Sequence, residues 1–260
     1  MAASSTAAPV LETRGLCMRF DRTPILHKLD LQVAAGERMA LIGPNGAGKS
    51  TLFNLISGAL VPTAGEVLLE GRRIDGLQPF EIHRRGLSRS FQITSLFPRL
   101  SVFDNLRCAV LWSLGYRYTM LRLLSRLDDA NRRTGELLQQ MGLQAWAHVP
   151  AMQLSYAQQR ALEIGVTIAG GARVVLLDEP TAGMSRSETA HFVALIRRVT
   201  EGRTLLMVEH DMGVVFDLAD RVAVLVRGEL LTVGTPAAVR SDARVQEAYL
   251  GALAGQVPGP

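Results

Sequence analysis

Apolar positions recur along this chain with two different periods, and the switches between them outline its elements. From Leu11 to Val33 the period is two, clearest at Leu29, Leu31 and Val33, which predicts short β-strands with one buried face. Ala34-Ala35-Gly36-Glu37 reads as a turn, and Arg38–Ile42 as a short apolar strand running straight into a glycine-rich segment. Leu52, Phe53, Leu55 and Ile56 then share one helical face, with Gly58 as a stop signal. Glu66–Glu70 predicts a further strand ending at Gly71. The stretch 101–150 is rich in Leu and Arg and carries three-to-four periodicity (Leu121, Leu124, Leu127; Leu137, Leu138, Met141), which predicts helices. After Arg173, strands and helices alternate: strand Val174–Leu177, helix Arg186–Thr200, strand Thr204–Val208, helix Met212–Leu218, strand Val222–Val226. Such alternation gives an α/β fold with a mainly parallel sheet covered on both faces. Leu230–Val233 pairs back as a hairpin across Arg227-Gly228-Glu229, and Thr235-Pro236 opens a last helix. Residues 1–9 and 253–260 are expected to be a disordered tail and a loose tail, which leaves one domain over 10–252.

Composition changes this picture only by exclusion. At 260 residues, 48% hydrophobic and 20% charged, the chain is globular rather than disordered or fibrous. Its two cysteines, Cys17 and Cys108, rule out a disulfide framework. The first ten residues lack the basic and apolar regions of a secretory signal. The longest apolar candidate, Ile164–Leu177, is broken by Arg173 and by glycines, so no membrane span is expected. The formal net charge of +4 is carried almost wholly by arginine, scattered in ones and twos; that is a solvated surface and not a nucleic-acid footprint. The only lysines are Lys28 and Lys49, which makes the placing of Lys49 informative.

Residues 43–51 read Gly43-Pro44-Asn45-Gly46-Ala47-Gly48-Lys49-Ser50-Thr51. This is a phosphate-binding loop in its required setting, after a strand and before a helix. Glycines let successive N–H groups converge on an anion, and the helix adds its N-terminal dipole. Lys49 is placed to reach the β- and γ-phosphates, and Ser50 offers a hydroxyl to Mg²⁺. Val174–Leu177 ends in Asp178 and Glu179, at the carboxyl end of a parallel strand, where ligands of open α/β sheets bind. Asp178 is the candidate metal ligand and Glu179 the candidate general base for an attacking water. His210 follows the next strand and is expected at the same sheet edge, within reach of the γ-phosphate or the water. Up to this point the reading is a Mg-nucleotide hydrolase or kinase.

The segment Leu154-Ser155-Tyr156-Ala157-Gln158-Gln159-Arg160 narrows it, because it resembles the signature motif of ABC-type ATPases. Gln92, in Arg89-Ser90-Phe91-Gln92, looks like that family's Q-loop, His210 like its switch histidine, and Phe20 like the aromatic that stacks on adenine. The resemblance covers residues 10–250 with the motifs in family order. It implies a P-loop NTPase of ABC-type architecture: a mainly parallel sheet core, an N-terminal antiparallel β subdomain, and a helical subdomain inserted at about 93–165. It also implies that ATP and Mg²⁺ are the cofactors and that Ser50, Gln92 and Asp178 face the metal. Catalysis falls to Glu179, His210 and Gln92. Two copies would sandwich ATP, each nucleotide lying between one phosphate loop and the signature residues Ser155, Ala157 and Gln158 of the other copy. Three positions depart from the pattern. Tyr156 and Ala157 replace glycines, with Tyr156 harmless if it points away and Ala157 lacking free access to positive φ. Ser185 replaces Asp or Asn and reads as the start of a capping box with Glu188.

A closer resemblance is carried by Ala161-Leu162-Glu163-Ile164, Glu209-His210-Asp211-Met212, the Ser90-Phe91-Gln92…Leu96-Phe97 spacing and the closing Ala248-Tyr249-Leu250-Gly251. These look like the ATP-binding subunits of branched-chain (hydrophobic) amino-acid uptake systems. That branch implies a homo- or heterodimer with a second ABC ATPase at the cytoplasmic face of the bacterial inner membrane. It also implies integral permease subunits, an indirectly linked periplasmic substrate-binding protein, and no nucleic-acid partner. The exposed part of Ile93–Leu106 is the candidate contact for a coupling helix of the permease. Urea or short-amide import is the alternative within the branch. Lipopolysaccharide export and soluble ABC ATPases are disfavoured by the long insertion, the single phosphate loop and the lack of sustained heptads.

Overall fold

The computed structural model describes residues 8–90, 96–116 and 126–254. In chain order its strands and helices are β1 (Pro9–Phe20), β2 (Thr23–Ala34), β3 (Arg38–Ile42), α1 (Lys49–Ile56), β4 (Ala64–Leu69), β5 (Arg72–Arg73), α2 (Pro79–Arg84), β6 (Leu87–Arg89), α3 (Val102–Ser113), α4 (Asp128–Met141), α5 (Tyr156–Ala169), β7 (Val174–Asp178), α6 (Arg186–Val199), β8 (Thr204–Val208), α7 (Met212–Leu218), β9 (Arg221–Val226), β10 (Glu229–Gly234), α8 (Pro236–Ser241) and α9 (Ala243–Ala254).

Among the described residues the strands form two sheets. One is antiparallel, in the order β2-β1-β4-β5. The other runs β10-β9-β3-β8-β7-β6, parallel except for the β10 edge. The inner parallel strands β3, β7, β8 and β9 carry near-continuous apolar runs, with polar residues only at their ends, because both of their faces are covered. Val175 and Leu177 of β7, with Met207 of β8 and Val224 of β9, join a core shared with α3–α7. The intervening Val174 and Leu176, with Val208 and Leu225, join a second core with α1 and the antiparallel sheet. Period-two alternation thus divides each strand between two hydrophobic layers.

Three expectations are corrected. The region 11–33 forms two long strands of 12 residues each, not several short ones. Register shifts around Thr13, Leu16 and Met18 break the alternation, so the sequence pattern looks shorter than the strand. The last helix is split: α8 ends at Ser241, because Asp242 leaves helical geometry (ψ 115°) and its side chain accepts the Arg244 N–H at 2.9 Å as α9 begins. Strand β1 starts at Pro9 and α9 continues to Ala254, so ordered structure reaches past both expected domain limits. Within the insertion, α3, α4 and α5 pack on one another, while Leu121 and Leu124 lie outside the described residues. No helix among the described residues is long and apolar enough to cross a membrane.

Candidate nucleotide site

The chain turns from β3 into α1 through the glycine-rich loop, and neighbouring backbone presses on that loop. A Cβ on Gly43 would collide with the Leu225 carbonyl oxygen. Gly48 has φ 103°, which favours glycine on conformational grounds, and a Cβ there would also crowd Leu26 Cδ2 at 2.7 Å. The tip of the β9–β10 hairpin ties the loop down further: the Gly228 N–H donates to the Ala47 carbonyl at 3.0 Å, and the Gly228 carbonyl accepts from the His27 N–H at 2.9 Å. Gly48 caps α1 without any side-chain hydrogen bond, so the first-turn N–H groups stay available to an anion.

Lys49 is buried, and its ammonium donates to the carbonyls of Gly43 at 2.6 Å and Pro44 at 3.0 Å. Burial draws its pKa below the ordinary lysine value, opposed by the carboxylates of Glu179 and Asp178. The ammonium is therefore held inside the loop, close to both acids. A depressed pKa means that Lys49 loses its proton at lower pH than an exposed lysine does. Nucleotide affinity should then fall as pH rises from about 7 to 10, the range below and up to the usual lysine pKa. Fluorescent-nucleotide titration across that range checks this. Lys49→Ala should bind weakly at every pH, and wild-type affinity in that variant would reject the phosphate-loop reading.

Asp178 ends β7 almost fully buried. Its Oδ2 accepts from an Arg89 NH2 group at 2.8 Å. Arg89, at the end of β6, also donates to Asn54 Oδ1 at 2.7 Å and Ser57 Oγ at 3.0 Å, which joins β6, β7 and α1. The second Asp178 oxygen, Oδ1, is buried and has no hydrogen-bond partner among the described residues. Since buried carboxylate oxygens are normally satisfied, this one fits a cation or its water. With the exposed Ser50 hydroxyl on the first turn of α1, the all-oxygen donor set suits Mg²⁺.

Glu179 adopts φ 47°, a left-handed conformation that is uncommon for a residue with a Cβ. Its N–H donates to the Val208 carbonyl at 2.9 Å, and its Oε1 lies 3.0 Å from His210 Nε2. The strained turn thus aims the carboxylate at the end of β8. Beneath it, Glu209 is buried. Its Oε1 accepts from the Thr181 N–H at 3.0 Å and hydroxyl at 2.7 Å, and its Oε2 accepts from the His210 N–H at 3.0 Å. One buried carboxylate therefore fixes the backbone of both the histidine and the loop after β7.

The structure gathers the loop 43–51, Asp178, Glu179 and His210 at one sheet edge. Phe20 is 46% exposed at the end of β1, on the same hairpin whose Leu26 packs against Gly48. Ser155 caps α5 reciprocally with Gln158, and Ser185 caps α6 with Glu188. Ala157 lies in the first turn of α5 and so needs no positive φ. The Tyr156 hydroxyl donates to the Ala182 carbonyl of its own chain at 2.9 Å. Gln92 lies outside the described residues, as do Phe91 and Ile93–Ser95. Arg89, Glu209 and Thr181 belong to the site without having been singled out from the sequence. The available signal was a charged residue closing a short strand (Arg89) and an acid directly after the apolar run Leu205–Val208 (Glu209).

A phosphate cradle beside acid and imidazole on neighbouring parallel strands is the layout of a P-loop nucleoside triphosphatase. The comparison with known families agrees and goes further. The ABC transporter model matches residues 26–182, and the model for branched-chain amino acid ATP-binding cassette transporters matches residues 229–254. The chain belongs to the ABC transporter family, as an ABC-type ATPase. It is 35% identical over 255 residues to the high-affinity branched-chain amino acid transport ATP-binding protein BraF of Pseudomonas aeruginosa, covering 94% of this chain and 98% of that one. It is 36% identical over 250 residues to LivG of Escherichia coli, described in the same words, with the same coverages. Among solved structures, MJ1267, an ATP-binding cassette of an ABC transporter, superposes with a TM-score of 0.81 at 26% identity, covering 94% of this chain and 99% of that one. A dimeric cassette, MJ0796 bound to ADP and Pi, shares the fold with a TM-score of 0.72 at 24% identity, covering 87% and 98%.

Proposed function

We propose that this chain is the ATP-hydrolysing subunit that powers uptake of branched-chain or other hydrophobic amino acids, at the cytoplasmic face of a bacterial inner membrane. The observation that carries the substrate assignment is the branched-chain match at 229–254, the C-terminal segment that hangs from the hairpin tied to the phosphate loop. The full-length similarity to BraF and LivG supports it.

Residues 43–51 hold the triphosphate, with Lys49 on the β- and γ-phosphates and Phe20 against the adenine. Ser50 and Asp178, with Gln92, hold Mg²⁺, which when bound supplies positive charge that screens the phosphate oxygens. Glu179 takes a proton from water as the water oxygen bonds to the γ-phosphorus. The bond to the bridging oxygen breaks, leaving ADP and inorganic phosphate. His210, within hydrogen-bond distance of Glu179, orients that carboxylate and the water. The other side of the nucleotide is covered by Ser155, Ala157 and Gln158 of a second ABC ATPase, identical or homologous. The dimeric MJ0796 cassette with ADP and Pi is consistent with that arrangement. ATP favours the closed dimer through its higher affinity for that state, and hydrolysis returns the open one.

The docking face for the permease is the exposed part of 96–106. Phe97 and Leu100 are exposed there, beside a cavity of about 310 Å³ lined by Phe80, Ile82, Leu96 and Val166. A periplasmic substrate-binding protein is linked to this chain only indirectly, through the permease subunits.

The test is reconstitution with the permease subunits and binding protein in proteoliposomes. ATP-dependent accumulation of labelled leucine, isoleucine or valine is expected. Uptake of urea or a short amide without these amino acids would overturn the substrate assignment.

A further inference from the structure

Tyr156 stands where the family signature carries a glycine, and its side chain has three partners. The hydroxyl donates to the Ala182 carbonyl at 2.9 Å, bridging from the first turn of α5 to the loop after β7. Arg160, one turn further along α5, donates through Nε to the same oxygen at 3.1 Å, and its guanidinium lies 5.4 Å from the ring centroid. A second Arg160 nitrogen is held by Glu163 Oε2 at 2.9 Å, in a pair that is itself largely buried. The ring edge lies over Gly183, where φ is 78° and a Cβ would come 3.6 Å from Tyr156 Cε1. A phenol that accepts from a guanidinium is polarised toward donation, so the contact to Ala182 is strengthened by the one behind it.

The loop 181–184 is thereby held at two points. Glu209 fixes Thr181 to the His210 backbone, and Tyr156 fixes Ala182 to the signature helix. We infer that Tyr156 is a positioning residue of the nucleotide sandwich: braced by Arg160, it sets the spacing between Ser155 and the 181–184 loop before a second copy arrives. The inference rests on the dimer reading given above. Its physical basis is preorganisation. Two segments already fixed relative to each other lose little freedom when they close on the partner, and association is tighter for it. The side chain that replaces the glycine thus does on its own helix what bare backbone does not.

The test uses Glu179→Gln, which retains ATP, as the parent for dimerisation, and the wild-type chain for turnover. Tyr156→Phe keeps the ring and removes only the hydroxyl. It should raise the protein concentration for half-dimerisation with ATP by up to about tenfold, because the 181–184 loop must then be ordered on association. It should lower kcat, while fluorescent-nucleotide affinity of the monomer stays unchanged because the phosphate loop is untouched. Arg160→Lys, which cannot fork between Tyr156 and Glu163, should shift dimerisation the same way, and the double variant should show less than the sum of the two effects. If Glu179→Gln dimerises with ATP and Tyr156→Phe matches it in midpoint, the inference is overturned and the sandwich stands. If Glu179→Gln itself stays monomeric with ATP, the sandwich reading falls and the inference with it.

Discussion

Glu179→Gln should lower ATP turnover by about 10²- to 10⁴-fold, the loss expected when a general base is removed, while leaving nucleotide affinity near wild type. The amide has the shape of the carboxylate and keeps the same turn, including its φ of 47°. It retains a hydrogen-bonding atom at the position now 3.0 Å from His210 Nε2, but it has no lone pair basic enough to accept a proton from water. Lys49, which lies within the field of Glu179, also sees Asp178, so the phosphate loop keeps one of its two nearby carboxylates. Steady-state phosphate release and single-turnover assays measure the loss. Turnover equal to wild type would remove Glu179 from the role of base.

The largest effect on stability is expected from Arg89→Ala, at about 3–5 kcal/mol, the cost of leaving one partner of a buried ion pair alone. Arg89 and Asp178 have side chains only 9% and 2% exposed. The truncation would strand Asp178 Oδ2 beside Oδ1, which already lacks a hydrogen-bond partner among the described residues. It would also release Asn54 and Ser57 at the end of α1. Thermal unfolding should show a large drop in Tm, and added Mg-nucleotide should recover part of it by supplying positive charge at Asp178. Arg89→Met combined with Asp178→Asn should be far less damaging than Arg89→Ala, because neither member of this pair is then left as an uncompensated charge. A melting curve for Arg89→Ala that overlays the wild-type curve would refute the argument.

Much of this could be read from residue order, and the limits have physical causes. The inner parallel strands were legible because strands buried on both faces carry near-continuous apolar runs. The phosphate loop was legible because its glycines are dictated by the Leu225 carbonyl pressing on Gly43 and by the positive φ of Gly48. The three residues of β6 and the six of α2 were not legible, since neither is long enough to show a period. Arg89 and Glu209 act through partners distant in sequence: Arg89 meets Asn54 and Asp178, and Glu209 meets Thr181. No local pattern reports such contacts. Tyr156 was legible as a departure from the signature, but its partner was not, because the reach to Ala182 depends on how α5 docks beside β7.

The anchoring of the hairpin tip has a consequence for how this polypeptide tolerates shortening. Gly228 is wedged against Ile25 and bonded to both Ala47 and His27, and everything from Glu229 onward is suspended from that knot. A stop codon placed just after it would do more than trim a peripheral tail. It would bare the flank of β9, a row of unsatisfied amides open to intermolecular pairing, and slacken the brace under the nucleotide. The family-specific ending is therefore also a buttress, and its loss should be felt in the neighbouring phosphate loop, at Ala47.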